Sequence, residues 1–366
     1  MGDRFTIQGD CVEYKQLGTT GIVVSRYCLG TMMLGRWGNT DRPECVAMVR
    51  AALDAGINYL DSSDVYSFGE SEEIIGEAVA GRRDDVVITT KFTNPMSDNL
   101  LHRGGSRRWI MQACEASLRR LGTDYIDVYL QHRHDDLGDL DETLGALSDL
   151  VHQGKVRTYG TSNHPVEAIV EAQWIAERRC YQRPKVQQSP YSMLVRFNER
   201  DLLPTCSRFG QGVMLWSPLA GGWLTGAVGR DKPRPDLGAF RDPRRYDVEA
   251  PENQSKFDAL ERLEALAASA GLSLVDMGLA FVREHPSVTA AIVGPATPTE
   301  LEGILAGADL RLSDDVLDEI DRIVPPGTNL NEADRGATSP TLAPWRRRGS
   351  AASISDGWRP ADGRRS

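Results

Sequence analysis

The feature that most constrains the fold is a repeated alternation of short apolar runs with helical patterns. From Tyr27 onward, eight such runs occur, and each is followed by a stretch whose apolar residues recur at helical spacing. This alternation predicts βα units and a parallel sheet, and eight units favour a closed barrel over an open sheet. We therefore predict an α/β fold, a single (β/α)8 TIM barrel, with strands at 27–29, 58–60, 86–90, 126–130, 156–160, a short run ending at 186, 213–216 and 290–293.

Three segments lie outside the repeated units. Two β-prone runs around Gly18-Thr19-Thr20-Gly21 predict an N-terminal hairpin before the first barrel strand. A long Gly- and Pro-rich loop, Ala220 to about Glu252, follows the seventh strand and is expected to lie over the barrel mouth. The resulting division is an N-terminal extension at 1–11, the barrel at 12–332, and a tail at 333–366 that is either flexible or covers the mouth.

Composition excludes several classes of partner. The chain has 366 residues, 40% of them hydrophobic, and a net charge of -10, so we expect no nucleic-acid or anionic-membrane partner. No apolar run approaches about 18 residues, and the first ten residues lack the apolar core of a signal peptide. Six scattered cysteines form no CxxC pair, which is typical of a reduced, cytoplasmic protein. The oligomeric state stays open.

Polar side chains follow the predicted strands at the points where the strands end. The carboxyl ends of all strands in such a barrel meet at one mouth, so these side chains are expected to converge there. The set that shares this placement is Asp61, Lys91, His132, Ser162, Asn163, Gln188 and Ser217.

Asp61, Tyr66 and Lys91 suggest a proton donor. A free phenol has a pKa of about 10, which is too high for efficient proton delivery near neutrality. A neighbouring ammonium lowers that pKa, and a carboxylate holds the ammonium in place. A structural Asp–Lys pair with an unrelated loop tyrosine is the alternative interpretation of these residues, and the predicted convergence at the mouth favours the functional one.

Six segments in order resemble the aldo-keto reductase family, and the resemblance runs from about Val12 to Val324. They are GINYLDSSDVYSFGESEEIIG with Asp61 and Tyr66, ITTKF with Lys91, DYIDVYLQHRHD with His132, GTSNH at 160–164, VQQSPYSMLVR at 186–196, and WSPLAGGWLTG at 216–226. In the last of these, Trp216 stands where the family usually has tyrosine.

The resemblance implies carbonyl reduction by hydride transfer from a nicotinamide cofactor, without a metal. It implies that Tyr66 is the general acid, that Lys91 lowers its pKa, that Asp61 pairs with Lys91, and that His132 orients the carbonyl. The substrate is expected to be a small-molecule aldehyde or ketone. The runs ACEASLRRLGTDYIDVY and IVGPATPTEL resemble a branch that includes reductases of nucleotide-linked deoxysugars and general aldehyde reductases.

The resemblance also implies a set of cofactor residues along the mouth. NADPH is the expected cofactor, with NADH possible, because the segment at 294–300 carries Glu300 where many relatives carry a basic partner for the 2′-phosphate. The implied contacts are Gly30 and Thr31 after the first strand, Ser162, Asn163 and Gln188 at the nicotinamide amide, Trp216 on the ring, Ser217, Leu219 and Gly221 at the pyrophosphate, and Gly294 and Glu300 at the adenosine end.

Two alternatives remain at this stage. His132 and His134 share a strand face, and Asp135-Asp136 follow them, so a metal-dependent barrel hydrolase is a rival enzyme class. A regulatory subunit that keeps fold and cofactor and senses redox state, as the family's potassium-channel beta subunits do, is the second. The complete Asp61, Tyr66, Lys91 and His132 set favours turnover.

Overall fold

Eight parallel strands close into a barrel in the computed structural model, which describes residues 12–232, 245 and 247–336 and the backbone of 4–5. The strands are β4 (Tyr27–Gly30), β5 (Tyr59–Asp61), β6 (Val87–Phe92), β7 (Ile126–Gln131), β8 (Val156–Ser162), β9 (Val186–Pro190), β10 (Gly212–Trp216) and β11 (Ala290–Val293). Each pairs with the next, and β11 closes the ring on β4. The predicted (β/α)8 barrel is confirmed.

Helices surround the barrel between these strands. They are Arg42–Asp54, Glu70–Ala78, Arg107–Leu121, Leu140–His152, Val166–Arg179, Leu202–Arg208, Gln254–Ser269, Leu274–Glu284, Pro298–Ala306 and Asp314–Ile323. Side-chain oxygens of Ser106, Ser273 and Ser313 accept backbone N–H bonds at three helix starts, as expected of N-caps. Within the described residues, no single helix is long and apolar enough to cross a membrane, although one pair of successive helices, Pro251–Ser269 and Leu274–Glu284, bent by 95°, passes on length and composition together.

Several strands run further toward the mouth than the sequence predicted. Thr161 and Ser162 continue β8, and Gln187 and Gln188 continue β9 beside them. The apolar pattern of the sequence ends before these residues. Their backbone groups still pair between β8 and β9, because buried N–H and C=O groups require hydrogen-bond partners. The ladder thus carries polar side chains directly to the mouth.

An antiparallel sheet closes the other end of the barrel. The predicted hairpin is β2 (Tyr14–Gln16) with β3 (Val23–Ser25), and Arg4–Phe5 adds a strand, β1, that the sequence did not predict. Leu17 and Val24 pack in the same buried cluster as the strand residues Val128 and Met214. The hairpin therefore belongs to the barrel's core.

The last described segment returns to the barrel. Asp334 is buried, and its carboxylate pairs with Lys256 Nζ at 2.6 Å and Arg245 Nε at 3.0 Å. The predicted tail is described only up to Gly336, and Trp345 and Trp358 lie outside the described residues. The long loop after β10 is described at 220–232, 245 and 247–252.

The hairpin turn approaches β10 at a position where only glycine fits. Gly18 has a φ of +55°, and a Cβ built on it would lie 2.2 Å from the backbone nitrogen of Gly212. Gly21, in the same turn, has a φ of +80° with nothing within 4 Å of its Cβ position. Comparing substitutions at the two positions therefore distinguishes the cost of a left-handed backbone from the cost of a clash between the added Cβ and β10.

We expect Gly18→Ala to destabilise the protein more than Gly21→Ala. Both variants carry the left-handed backbone cost of roughly 1–2 kcal/mol, and only Gly18→Ala adds a backbone clash worth about 1–3 kcal/mol. Thermal unfolding of the two variants under identical conditions measures the difference. Equal losses would show that the turn does not press on β10 as described.

Candidate active site

The barrel places Asp61, Tyr66 and Lys91 side by side at the mouth. Asp61 is the last residue of β5, Lys91 points inward from the neighbouring β6, and Tyr66 begins the short turn that follows β5. The Lys91 side chain is fully buried, and that of Asp61 nearly so. The three side chains that the sequence grouped are therefore in contact.

The Lys91 ammonium is saturated with acceptors. Nζ lies 2.7 Å from Asp61 Oδ2, 2.6 Å from the Ser62 carbonyl oxygen and 3.3 Å from Tyr66 Oη. An ammonium has three hydrogens, so each is directed at one partner. Because Lys91 donates to the phenol oxygen, the phenol hydrogen remains available to another acceptor.

Burial and charge act in opposite directions on this cluster. Burial raises the pKa of Tyr66 above its usual value, and the neighbouring Lys91 charge offsets only part of that rise. The influence of Lys91 on the pKa of Tyr66 has the expected sign, although desolvation of the phenolate outweighs it in the protein alone. Burial also raises the pKa of Asp61, opposed by Lys91 and Gln188.

Lys91 itself stays charged. Burial alone lowers the pKa of an ammonium, but the charge of Asp61 raises the pKa of Lys91 above its usual value on balance. The ion pair at 2.7 Å and the hydrogen bond from Gln188 Nε2 to Asp61 Oδ1, also 2.7 Å, both stabilise the ionised carboxylate. We therefore regard Lys91 as protonated and Asp61 as ionised near neutral pH.

His132 lies beside the phenol. Its ring is edge-to-face with Tyr66 at a centroid distance of 5.9 Å. Burial, together with the charges of Lys91 and Arg133, holds the pKa of His132 well below its usual range. The imidazole is therefore neutral and contributes a hydrogen bond rather than a charge.

A strained turn forms one side of the mouth. Ser67 and Phe68, directly after Tyr66, have φ values of 49° and 56°, a conformation that costs non-glycine residues on the order of 1–3 kcal/mol each. Ser67 Oγ fixes the turn by donating to the Leu34 carbonyl oxygen at 3.0 Å and accepting from Trp37 N at 3.2 Å. The Trp37 ring then lies 6.2 Å from Tyr66 and 5.9 Å from Phe68, forming an aromatic wall.

Four of the predicted nicotinamide contacts meet next to this cluster. Asn163 Nδ2 donates to Ser162 Oγ at 2.9 Å, and Asn163 Oδ1 accepts from Trp216 Nε1 at 3.2 Å. Gln188 donates to Asp61, while its Oε1 has no hydrogen-bond partner within the described part of the chain. That free acceptor, next to donor amides and an indole face, fits the carboxamide and ring of a nicotinamide.

The loop after β10 has the backbone of an anion site. Ser217, Ala220, Gly221 and Gly222 have φ values of 55°, 52°, 66° and 106°. Left-handed residues interspersed with right-handed ones turn successive N–H groups toward one side, which suits a pyrophosphate. The Leu219 side chain packs toward Gly278 instead, so any contact from Leu219 to a cofactor uses its backbone.

The remaining predicted cofactor residues lie around β4 and β11. Thr31 Oγ1 donates to the Asp61 carbonyl oxygen at 3.0 Å, and Gly30 pairs with Asp61 in the ladder. Gly294 is exposed just after β11. The Glu300 carboxylate turns back and accepts from Ala296 N at 2.7 Å, so part of its hydrogen-bonding capacity is used by its own loop.

The sequence did not identify several polar residues at the mouth. Asn94 and Ser63 both contact His132 Nδ1, at 3.2 and 3.0 Å. Arg133 is exposed, and its Nη1 donates to the Gly336 carbonyl oxygen at 2.8 Å, where Gly336 lies against the Trp216 ring. Asn94 stands two residues beyond β6, so the pattern of polar residues after strand ends could have found it.

The imidazoles near His132 are engaged in other contacts. His164 bonds the Ser162 carbonyl oxygen at 2.9 Å and Gln131 Oε1 at 3.1 Å, and His134 lies 3.6 Å from Asp136. No group of three or more His, Cys, Asp or Glu residues with metal-binding geometry occurs among the described residues. The geometry therefore does not favour the hydrolase alternative.

The class defined by this fold and site is a barrel oxidoreductase that reduces carbonyl groups. Residues 26–325 match the model of the Aldo/keto reductase family. The chain is 35% identical to the uncharacterized oxidoreductase YrpG of Bacillus subtilis over 88% of this chain and 99% of that protein. It is 33% identical to an NADH-specific methylglyoxal reductase of Escherichia coli, over 81% of this chain and 94% of that protein. It is also 32% identical to a probable voltage-gated potassium channel subunit beta of rice, over 86% of this chain and 97% of that protein.

The chain belongs to the aldo/keto reductase family. It is an NAD(P)H-dependent aldo-keto reductase, and the regulatory-subunit and hydrolase alternatives are not favoured. The family uses nicotinamide cofactors, in agreement with the free Gln188 acceptor and the backbone of the loop after β10.

We expect Lys91→Met to shift the pH profile of carbonyl reduction upward. A phenol that acts as a proton donor is active only when it is protonated, so with Tyr66 in that role activity is expected to fall as pH rises through the pKa of Tyr66. Loss of the Lys91 charge raises that pKa further, which moves the fall to higher pH and makes the phenol a weaker acid at neutral pH. The measurement is kcat against pH with a slow substrate. An unchanged profile, with hydride transfer limiting in both proteins, would reject Lys91 as the group that tunes Tyr66.

Proposed function

We propose that Tyr66 protonates the carbonyl oxygen of the substrate, assisted by Lys91, Asp61 and His132. The observation that carries this proposal is the saturated ammonium, which donates to Tyr66 Oη and leaves the phenol hydrogen free. Ser162, Asn163, Gln188 and Trp216 hold the nicotinamide, and a reduced nicotinamide supplies the hydride when bound. Ser217, Leu219 and Gly221 hold the pyrophosphate, with Gly30, Thr31, Gly294 and Glu300 at the remaining cofactor contacts.

Each residue then has a distinct task in reduction. His132, held neutral, donates a hydrogen bond that fixes the carbonyl oxygen near the phenol. As negative charge develops on that oxygen, Tyr66 transfers its proton, and the phenolate that remains is stabilised by Lys91 at 3.3 Å. Asp61 holds the ammonium in place through Oδ2, which lies 2.7 Å from Lys91 Nζ, and has no direct role at the substrate oxygen.

We expect Tyr66→Phe to reduce kcat strongly and to leave cofactor binding unchanged. The substitution removes the proton donor and keeps the ring between Trp37 and His132, so the loss should be about 10²–10⁴-fold, as for removal of a general acid. Steady-state reduction and cofactor fluorescence titration measure the two properties. Wild-type kcat in the variant would disprove the assignment, and a wild type limited to a single turnover would favour a sensing role.

We propose that NADPH and NADH are both used. A 2′-phosphate prefers Arg or Lys, whereas a carboxylate accepts hydrogen bonds from the free 2′-hydroxyl of NADH. Glu300 offers that carboxylate. Two basic side chains in the described part of the long loop are engaged elsewhere, since Arg230 pairs with Asp258 and Lys232 with Glu264. The named NADH specificity of the Escherichia coli relative supports the use of NADH here as well.

We expect Glu300→Arg to shift preference toward NADPH. The change replaces a repelling carboxylate with charged donors for the 2′-phosphate. Glu302→Arg is the matched control, because it makes the same charge change on an exposed position of the same helix. The measurement is the ratio of kcat/KM for NADPH and NADH in the three proteins. A thousandfold NADPH preference in wild type that Glu300→Arg leaves unaltered would place the phosphate elsewhere.

We propose further that the preferred carbonyl substrate carries an anionic group, as a sugar nucleotide does. Arg133 follows His132 directly, is exposed, and has no carboxylate partner among the residues that the structure describes. Its guanidinium reaches Gly336, which lies against Trp216, so the charge is held at the mouth. The Trp37 and Phe68 rings on the Tyr66 side suit a planar or sugar ring.

We expect Arg133→Gln to discriminate between charged and neutral aldehydes. KM for 4-carboxybenzaldehyde should rise about tenfold or more, since hydrogen bonds to charged groups contribute roughly 1.5–3 kcal/mol. KM for the similarly shaped 4-methylbenzaldehyde should stay the same and serves as the internal control. An equal effect on both aldehydes would assign Arg133 a structural role in holding residue 336.

A further inference from the structure

The tautomer of His132 decides what this residue can do. A neutral imidazole carries one N–H, on either Nδ1 or Nε2, and only the nitrogen that carries hydrogen can donate. His132 is buried, and nearby Lys91 and Arg133 carry positive charge, so the neutral form dominates. The group that contacts Nδ1 therefore determines which nitrogen donates.

Two side chains contact His132 Nδ1. Asn94 Nδ2 lies 3.2 Å away, and Ser63 Oγ lies 3.0 Å away. An amide NH2 group can only donate, so Asn94 requires Nδ1 to be an acceptor and places the hydrogen on Nε2. Ser63 is compatible with either tautomer, because its hydroxyl can donate or accept and also lies 3.3 Å from Asp64 Oδ1.

The other ring nitrogen of His132 is Nε2. His132 Nε2 has no hydrogen-bond partner within the described part of the chain. The backbone of His132 is fixed on both sides: its N–H donates to the Phe92 carbonyl oxygen at 2.9 Å, and its carbonyl oxygen accepts from Asn163 Nδ2 at 3.2 Å. The edge-to-face contact at a centroid distance of 5.9 Å makes the imidazole and the Tyr66 phenol neighbours at the mouth.

We propose that Asn94, supported by Ser63, is a positioning residue that holds His132 as the Nε2–H tautomer. This inference rests on the proposed role of His132 as the donor that orients the carbonyl. Asn94 touches neither substrate nor cofactor in this scheme. It acts through His132, by making the imidazole a donor toward the carbonyl oxygen and not an acceptor that would repel it.

The decisive variant is Asn94→Asp. It is nearly isosteric and replaces the amide donor with a carboxylate, which accepts. The carboxylate draws hydrogen to Nδ1, either by switching the tautomer or by stabilising the doubly protonated ring. Asn99→Asp is the matched control, because Asn99 lies on the same loop and its Nδ2 is 3.5 Å from the half-buried His102.

The tautomer can be read directly, without catalysis. Two-bond 15N–1H correlation spectra of protein labelled at its six histidines distinguish Nε2–H from Nδ1–H, and a His132→Gln variant assigns the signal. We expect Nε2–H in wild type and in Asn99→Asp, and a protonated Nδ1 in Asn94→Asp. A wild-type spectrum with Nδ1–H would overturn the proposal, even if Asn94→Asp failed to fold.

Kinetics supply the second measurement. Loss of one donor to a developing oxyanion lowers kcat by roughly 10²–10³-fold, so Asn94→Asp should lower kcat by up to that factor with a smaller change in KM. Asn99→Asp should match wild type. A wild-type His132 signal and kcat in Asn94→Asp would refute the inference. Failure of Tyr66 as the acid is distinguishable, because the tautomer spectra do not depend on it.

Discussion

The buried ammonium of Lys91 is the group around which the rest of the site must be arranged. A charge inside a protein is tolerated only when it is paired and hydrogen-bonded, and removing one partner of a buried pair typically costs about 3–5 kcal/mol. Lys91 obtains its partners from three places: the end of β5, the backbone of Ser62, and Tyr66. A parallel barrel meets this requirement because neighbouring strands end at the same mouth.

The sequence was sufficient for the barrel and for the residues carried by its strands. Asp61, Lys91 and Gln188 were predictable because each stands at a strand end, and parallel strands direct their carboxyl ends to one place. Arg133 was not identified, because its contact with Gly336 depends on the paths of loops, for which residue spacing gives no rule. Asn94 was also missed, although it follows the end of β6 by only two residues. The net direction of the pKa shift at Tyr66 could not be predicted from the sequence either, since it depends on how deeply the folded chain buries the phenol.

The Tyr66 phenol has two neighbours of different charge, the protonated ammonium of Lys91 and the neutral imidazole of His132. Lys91 keeps its proton because Asp61 is adjacent, whereas burial and nearby positive charge keep His132 neutral. A second charged donor at His132 would add to the positive charge near Lys91 and Arg133. The hydrogen-bond partners of His132 then matter more than its pKa, because they decide which ring nitrogen of the neutral imidazole donates a hydrogen bond.

The ion pairs of Asp334 show that the folded unit extends beyond the part of the chain that matches the family. The match to the family ends at residue 325, nine residues before Asp334. A gene trimmed at that limit would leave the fully buried ammonium of Lys256 without its carboxylate, and Trp216 without the neighbouring Gly336. The family match shows which residues this chain shares with its relatives. The folded unit also includes Asp334, because the buried ammonium of Lys256 requires a carboxylate partner. A shortened version of this protein should therefore retain Asp334 and Gly336, although both lie beyond the family match.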